Sequence, residues 1–154
     1  MIVFLAGPIG HWWYDNWDSP AHWHYAKWRD AVSKGLVVDE HLVYRPHEGF
    51  KGAWDPKAQT VNDAAIKVCD VFLDLRPSGV PSPGTDDERD MAVEHGKLII
   101  DFPPPEDMLK LHHVSAPRAE LLRQNESHFD QAVTEFLIQL ADIEHGLDLA
   151  VKTT

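Results

Sequence analysis

Met1-Ile2-Val3-Phe4-Leu5-Ala6-Gly7-Pro8 opens the chain as an unbroken apolar run halted by glycine and proline. A strand with one wet face alternates apolar and polar residues. A run without alternation suits a strand covered on both faces, as in the middle of a parallel sheet. Residues 1–6 are too few to cross a bilayer and follow no basic segment, so they read as core strand, neither anchor nor leader. Three similar runs lie further along: Leu42-Val43-Tyr44-Arg45 before Pro46, Val71-Phe72-Leu73-Asp74-Leu75, and Leu98-Ile99-Ile100-Asp101-Phe102 before three prolines. Helical signals fill the gaps. Ser19-Pro20 is an N-cap followed by proline at the first helical position, predicting a helix to about Lys34 with Gly35 as its stop. Val61, Ala64, Ala65 and Val68 recur at i, i+3, i+4 and i+7. A third helix is expected over 86–95, ended by Gly96. Phe129, Val133, Phe136, Leu137, Leu140 and Ile143 then form one stripe of a long C-terminal helix, with Ser127 as candidate N-cap.

Strands alternating with helices predict one α/β domain over 1–154: an open parallel sheet of four to five strands, flavodoxin- or Rossmann-like, with helices on both faces. Crossover units wound both ways from the first strand give the strand order 2-1-3-4. The 154 residues can bury a proper core without disulfide or metal. A net charge of −11 argues against nucleic-acid polymers and anionic membranes as partners, although a local pocket can still take a small anion. The single cysteine, Cys69, cannot form an internal disulfide, so a reducing, cytoplasmic setting is expected.

Ligands of such sheets sit beyond the carboxyl ends of the strands, here the loops over 7–17, 46–60, 76–84 and after 102. Ser82-Pro83-Gly84-Thr85-Asp86-Asp87-Glu88-Arg89-Asp90-Met91-Ala92 is the most informative of these segments. Gly84 permits a tight turn into the helix, and Glu88 is expected in the first turn near the crevice. Two roles are open to it. Thr85-x-x-Glu88 is itself a capping box, in which Glu88 only reaches back to the Thr85 amide; alternatively, Glu88 is a reactive carboxylate.

Three motifs occur in sequence order: Leu5-Ala6-Gly7-Pro8-Ile9, Asn62-Asp63-Ala64-Ala65-Ile66-Lys67-Val68-Cys69-Asp70, and Ser82-x-Gly84-x-x-x-Glu88-x-x-x-Ala92. Together they resemble the nucleoside 2-deoxyribosyltransferase superfamily, which includes the deoxynucleoside 5′-monophosphate N-glycosidases. The resemblance spans residues 1–102 and does not extend to residues 103–154. It implies cleavage or transfer at the N-glycosidic bond of a (deoxy)nucleoside or its 5′-monophosphate, without cofactor. Glu88 falls at the nucleophile position, where a carboxylate offsets oxocarbenium charge or forms a glycosyl ester. A second acid must protonate the departing base. The family's Asp aligns with Asn62, which cannot serve, and Asp63 follows one place later as the candidate acid or as a helix-start residue. Asp74 could point into the pocket from its strand end, whereas Asp70 reads as a strand-boundary acid. Gly7, Pro8, Ile9, Ser82 and Gly84 would cradle sugar or phosphate. Ser82 favours a phosphate at a helix N-terminus, while Asp86 and Asp87 oppose one.

His11-Trp12-Trp13-Tyr14-Asp15-Asn16-Trp17 could stack a nucleobase or serve as a loop anchor or subunit interface. Tyr14 is a candidate catalytic hydroxyl by location. With the apolar C-terminal stripe, these aromatics predict a homo-oligomer, at least a dimer. Neither His22-x-His24 nor His112-His113 has zinc-site spacing, no dinucleotide or Walker fingerprint is present, and Cys69 reads as inert core. A non-catalytic nucleotide-binding module of the same fold is the alternative, favoured by Asn62 where an acid is expected.

Overall fold

The computed structural model describes residues 1–8, 20–46, 56–105 and 118–153, with side chains over 1–8, 24–46, 57–105 and 128–148. Its strands are β1 (Ile2–Ala6), β2 (Leu42–Tyr44), β3 (Val71–Asp74) and β4 (Leu98–Asp101). All pairings among them are parallel and the order is β2-β1-β3-β4, as the crossover pattern predicts. Val3 stands opposite Val43 on one side and Val71 on the other, so β1 is central.

Burial follows the two-fold alternation of the strands. Val3 and Leu5 of β1 join Val71, Leu73 and Leu75 on one face, under α1 (Pro20–Val38) and α4 (Arg118–Thr153). Phe4, Ala6 and Phe72 face the other way, toward Ile66 of α2 (Pro56–Val68) and Ala92 of α3 (Pro83–Glu94). Both faces of β1 and β3 are therefore dry, which is why their sequences do not alternate. Trp28 of α1 is fully buried and donates its indole N–H to the Phe102 carbonyl at 2.9 Å, so its one polar atom stays satisfied.

Three expected helix boundaries are corrected. α1 continues past Gly35 to Val38. A Cβ at Gly35 would run into Val133 Cγ1, so glycine there admits close approach of α4 and does not end the helix. α4 begins at Arg118, placing Ser127 inside the helix and not at its start. α3 begins at Pro83 with Ser82 at the N-cap position. Proline at the first helical position, which has no use for its N–H, sets that start. Gly96 (φ 68°) ends α3 as expected, with the Lys97 amide turned back onto the Ala92 carbonyl at 2.9 Å.

The C-terminal stripe is also accounted for. Phe129, Val133, Phe136 and Leu140 are buried against α1, and Phe102 stacks on Phe136 at 4.3 Å. These four residues complete this chain's own core, while Leu137 and Ile143 are only partly buried.

Candidate active site

Order β2-β1-β3-β4 puts the reversal of winding between β1 and β3, the place where open parallel sheets form their ligand crevice, beyond the carboxyl ends of the strands. β1 delivers Gly7, β2 Tyr44, β3 Asp74 and β4 Asp101 to that edge. Gly7 has φ 154°, a conformation that only glycine adopts readily, and a Cβ on it would strike the Tyr25 hydroxyl. Backbone and phenol are thus pressed together at the end of β1, with Pro8 buried beside them.

α3 carries Glu88 to the crevice. With the helix starting at Pro83, Thr85 lies within the first turn and Glu88 in the second. Thr85 is therefore not an N-cap, and the Thr85–Glu88 capping box does not form. Ser82 Oγ pairs with Thr85 Oγ1 at 2.7 Å and makes no cap to the backbone. Gly84 has ordinary φ, and a Cβ there would meet open space, so no tight turn requires glycine at this position.

Glu88 is 9 % exposed, and burial is the main cause pushing its carboxyl up to about 7. The charges of Asp63, Asp74 and Asp87 push the same way, while Arg29 of α1 opposes them. Glu88 in turn, after burial, helps to raise the Tyr44 phenol. Five elements thus direct ionisable groups at one carboxylate.

Asn62 and Asp63 take different positions on α2. Asn62 is 1 % exposed and accepts the Tyr44 hydroxyl proton at 2.6 Å. Asp63 is half-buried and accepts a hydrogen bond from Gln59 at 2.7 Å, while its charge reaches Glu88. Asp74 is buried but fully engaged. It accepts from the Arg76 amide at 3.0 Å, from Arg76 Nη2 at 3.1 Å and from Arg89 Nη1 at 3.2 Å. Arg76 continues to Asp86 at 2.8 Å, and Arg89 to Asp101. Asp74 is accordingly the centre of an ion-pair chain tying β3 and β4 to α3, not a free acid lining the pocket. Asp70 lies at the opposite end of the sheet, accepting the Ile2 amide at 2.8 Å, as its strand-boundary reading implies.

Ile9, Tyr14 and the Trp-rich stretch lie outside the described residues. Among the described residues no group of three His, Cys, Asp or Glu side chains could hold a metal ion, and no helix is long and apolar enough to cross a membrane.

Sequence reading missed Tyr25, Arg29 and Tyr44. Tyr25, Trp28, Arg29, Val32 and Leu36 all lie on the buried side of α1. The available signal was a charge, Arg29, falling on an otherwise apolar helical stripe four residues after a tyrosine.

No protein-family model and no curated protein matches the sequence. Among solved structures the chain is similar to a 2-desoxiribosyltransferase from Leishmania mexicana, at 18% identity and TM-score 0.47 over 66% of this chain and 63% of that one. It is also similar to a CMP N-glycosidase of Clostridium botulinum, at 21% identity and TM-score 0.47 over 80% of this chain and 97% of that one. The match thus takes in less than two thirds of the Leishmania protein.

Proposed function

We propose that the chain cleaves, or transfers a sugar across, the N-glycosidic bond of a (deoxy)nucleoside or its 5′-monophosphate, with Glu88 as nucleophile. The observation that carries this reading is a buried carboxylate at the carboxyl end of a parallel sheet, displaced to about 7 by burial and by neighbouring charges. Structural carboxylates are usually paired; this one is surrounded by like charge, an arrangement characteristic of reactive groups. Set under C1′, an ionised Glu88 would offset oxocarbenium charge or form a glycosyl ester that water or a second base resolves. The positive charge developing on the sugar would draw the carboxyl toward its ionised form as the bond breaks. Asp63, across the crevice on α2, is the proposed proton donor to the departing base, with Gln59 holding it in place. Tyr44 and Asn62 would orient the substrate.

One observation favours the second reading, a nucleotide-binding module without turnover. Asn62, not Asp63, is the fully buried residue at the position where the resemblance expects an acid.

Incubation with a panel of ribo- and deoxynucleosides and their 5′-monophosphates, read by release of free base, separates the two. Turnover is expected, and Glu88→Gln should lower kcat about a thousandfold or more. Because Glu88 must be ionised, kcat/KM should fall as pH drops through about 7. Ligand-induced melting shifts without base release from any substrate would leave the binding module. Addition of a second free base distinguishes transfer from hydrolysis.

A further inference from the structure

Arg29 is 3 % exposed, and its one described hydrogen bond runs from Nη1 to the neutral Tyr25 hydroxyl at 3.1 Å. Its Nη2 is sealed from solvent and has no hydrogen-bond partner. Among the described residues no carboxylate lies within ion-pair distance of it, whereas Arg76 and Arg89 are tied to Asp74, Asp86 and Asp101. A buried guanidinium with a single neutral acceptor is strongly disfavoured unless an anion completes it. Its position indicates where that anion would come from. A Cβ built on Gly7 would lie 3.3 Å from Arg29 Nη1 and against the Tyr25 hydroxyl, so the Tyr25–Arg29 pair backs the turn at the end of β1. The charge of Arg29 is also felt by Glu88 on α3. The guanidinium therefore stands directly behind the turn at the carboxyl end of β1, within electrostatic reach of Glu88.

We propose that Arg29 is an anion anchor, its unpartnered Nη2 taking an oxygen of a phosphate monoester carried by the substrate and seated at the Gly7 turn. The inference rests on the N-glycosidic reading and narrows it from nucleosides to nucleoside monophosphates. Pivoting about the bond from Nη1 to Tyr25 would turn Nη2 outward as the ligand seats. A planar guanidinium suits a phosphate, giving directed hydrogen bonds together with full charge. One such group matches one monoester. The acidic groups whose charges converge on Glu88, Asp63 and Asp87 among them, would repel the further charges of a di- or triphosphate.

Calorimetric titration of wild type, Arg29→Gln and Arg29→Lys with a 2′-deoxynucleoside, its 5′-monophosphate and inorganic phosphate tests this. Wild type should bind the monophosphate at least about tenfold tighter than the nucleoside. Arg29→Gln should abolish that preference, bringing monophosphate affinity down to that of the nucleoside in the same variant, and Arg29→Lys should keep part of it. If circular dichroism shows Arg29→Gln unfolded, the partial loss in Arg29→Lys, confined to the monophosphate, carries the test. Equal wild-type affinity for nucleoside and monophosphate, or a preference that survives Arg29→Gln, overturns the proposal. So does Arg29-dependent binding of inorganic phosphate with no nucleotide binding. Base release is scored separately: Arg29-dependent monophosphate binding without turnover would sink the N-glycosidic reading and leave the anchor standing. Turnover indifferent to the phosphate would do the reverse.

Discussion

Glu88 is held in its crevice at a cost to folding. Its carboxyl sits near 7 in the folded chain, against 4.5 when solvated. Between those two values the folded state therefore binds the extra proton. The contribution of this group is harmless below about 4.5, becomes increasingly destabilising as pH rises to about 7, and levels off above that. Converted at about 1.4 kcal/mol per pH unit, the full effect is on the order of 3 kcal/mol. Glu88→Gln removes the ionisation and keeps the shape. It should raise stability by up to about this amount at pH 8 and change it little at pH 5, as read by urea denaturation at both values. A residue that only capped a helix would give no such gain on removal. Gain of stability with loss of base release is the pattern expected of a strained functional group. Glu88 was legible as a candidate only through the three-motif resemblance, which implies a nucleophile at that position; the local Thr85-x-x-Glu88 pattern read equally as a capping box. Its burial was not legible, since Asp63, Asp74, Arg29 and Tyr44 reach it from four other elements.

At the scale of elements, two glycines that look alike in sequence should behave oppositely. Gly35 lies within α1, where a Cβ would meet Val133 of α4; Gly146 lies within α4, where a Cβ would meet nothing. Gly146→Ala should stabilise by about 0.5–1 kcal/mol through helix propensity alone. Gly35→Ala gains the same propensity but must push a packed valine aside, an overpacking cost of about 1–3 kcal/mol, so its net effect should be destabilising. Melting temperatures moving in opposite directions would bear this out; two gains would mean α1 and α4 are less closely packed. The same contrast explains why sequence reading ended α1 too early. Glycine after a helical run signals a stop, and only the neighbouring helix shows that this one is a contact. The late start expected for α3 has a similar origin. Ser82-Pro83 and Thr85-x-x-Glu88 are both start signals, and the choice fell to proline at the first helical position.

For the whole molecule, the segment without sequence resemblance turns out to be structural. Residues 103–154 contain α4, whose Phe129, Val133, Phe136 and Leu140 roof the core formed by Trp28, Leu36 and the strands. A chain cut after residue 105 would expose Trp28, Val32 and Leu36 to water and forfeit roughly 1.5–3 kcal/mol for each large side chain uncovered. It should be aggregated or unfolded by circular dichroism, whereas a cooperatively folded 1–105 fragment would show the roof to be dispensable. Because most of the stripe is used internally, the Trp-rich stretch is the main remaining ground for expecting a homo-oligomer. Light scattering should give a multiple of 17.5 kDa; a monomer mass would dispose of it.

The sequence by itself determined the four strands, their parallel pairing and the order 2-1-3-4. Hydrophobic periodicity and turn residues are local properties, and the crossover rule leaves few topologies once the strands are known. Tertiary structure decided which polar groups are committed and which are not. It bound Asp74 into a chain of arginines, buried Asn62 beneath Tyr44, and left Arg29 with an unpartnered nitrogen near Glu88. Desolvation and ion pairing depend on which side chains meet across elements tens of residues apart, and nothing local records those meetings.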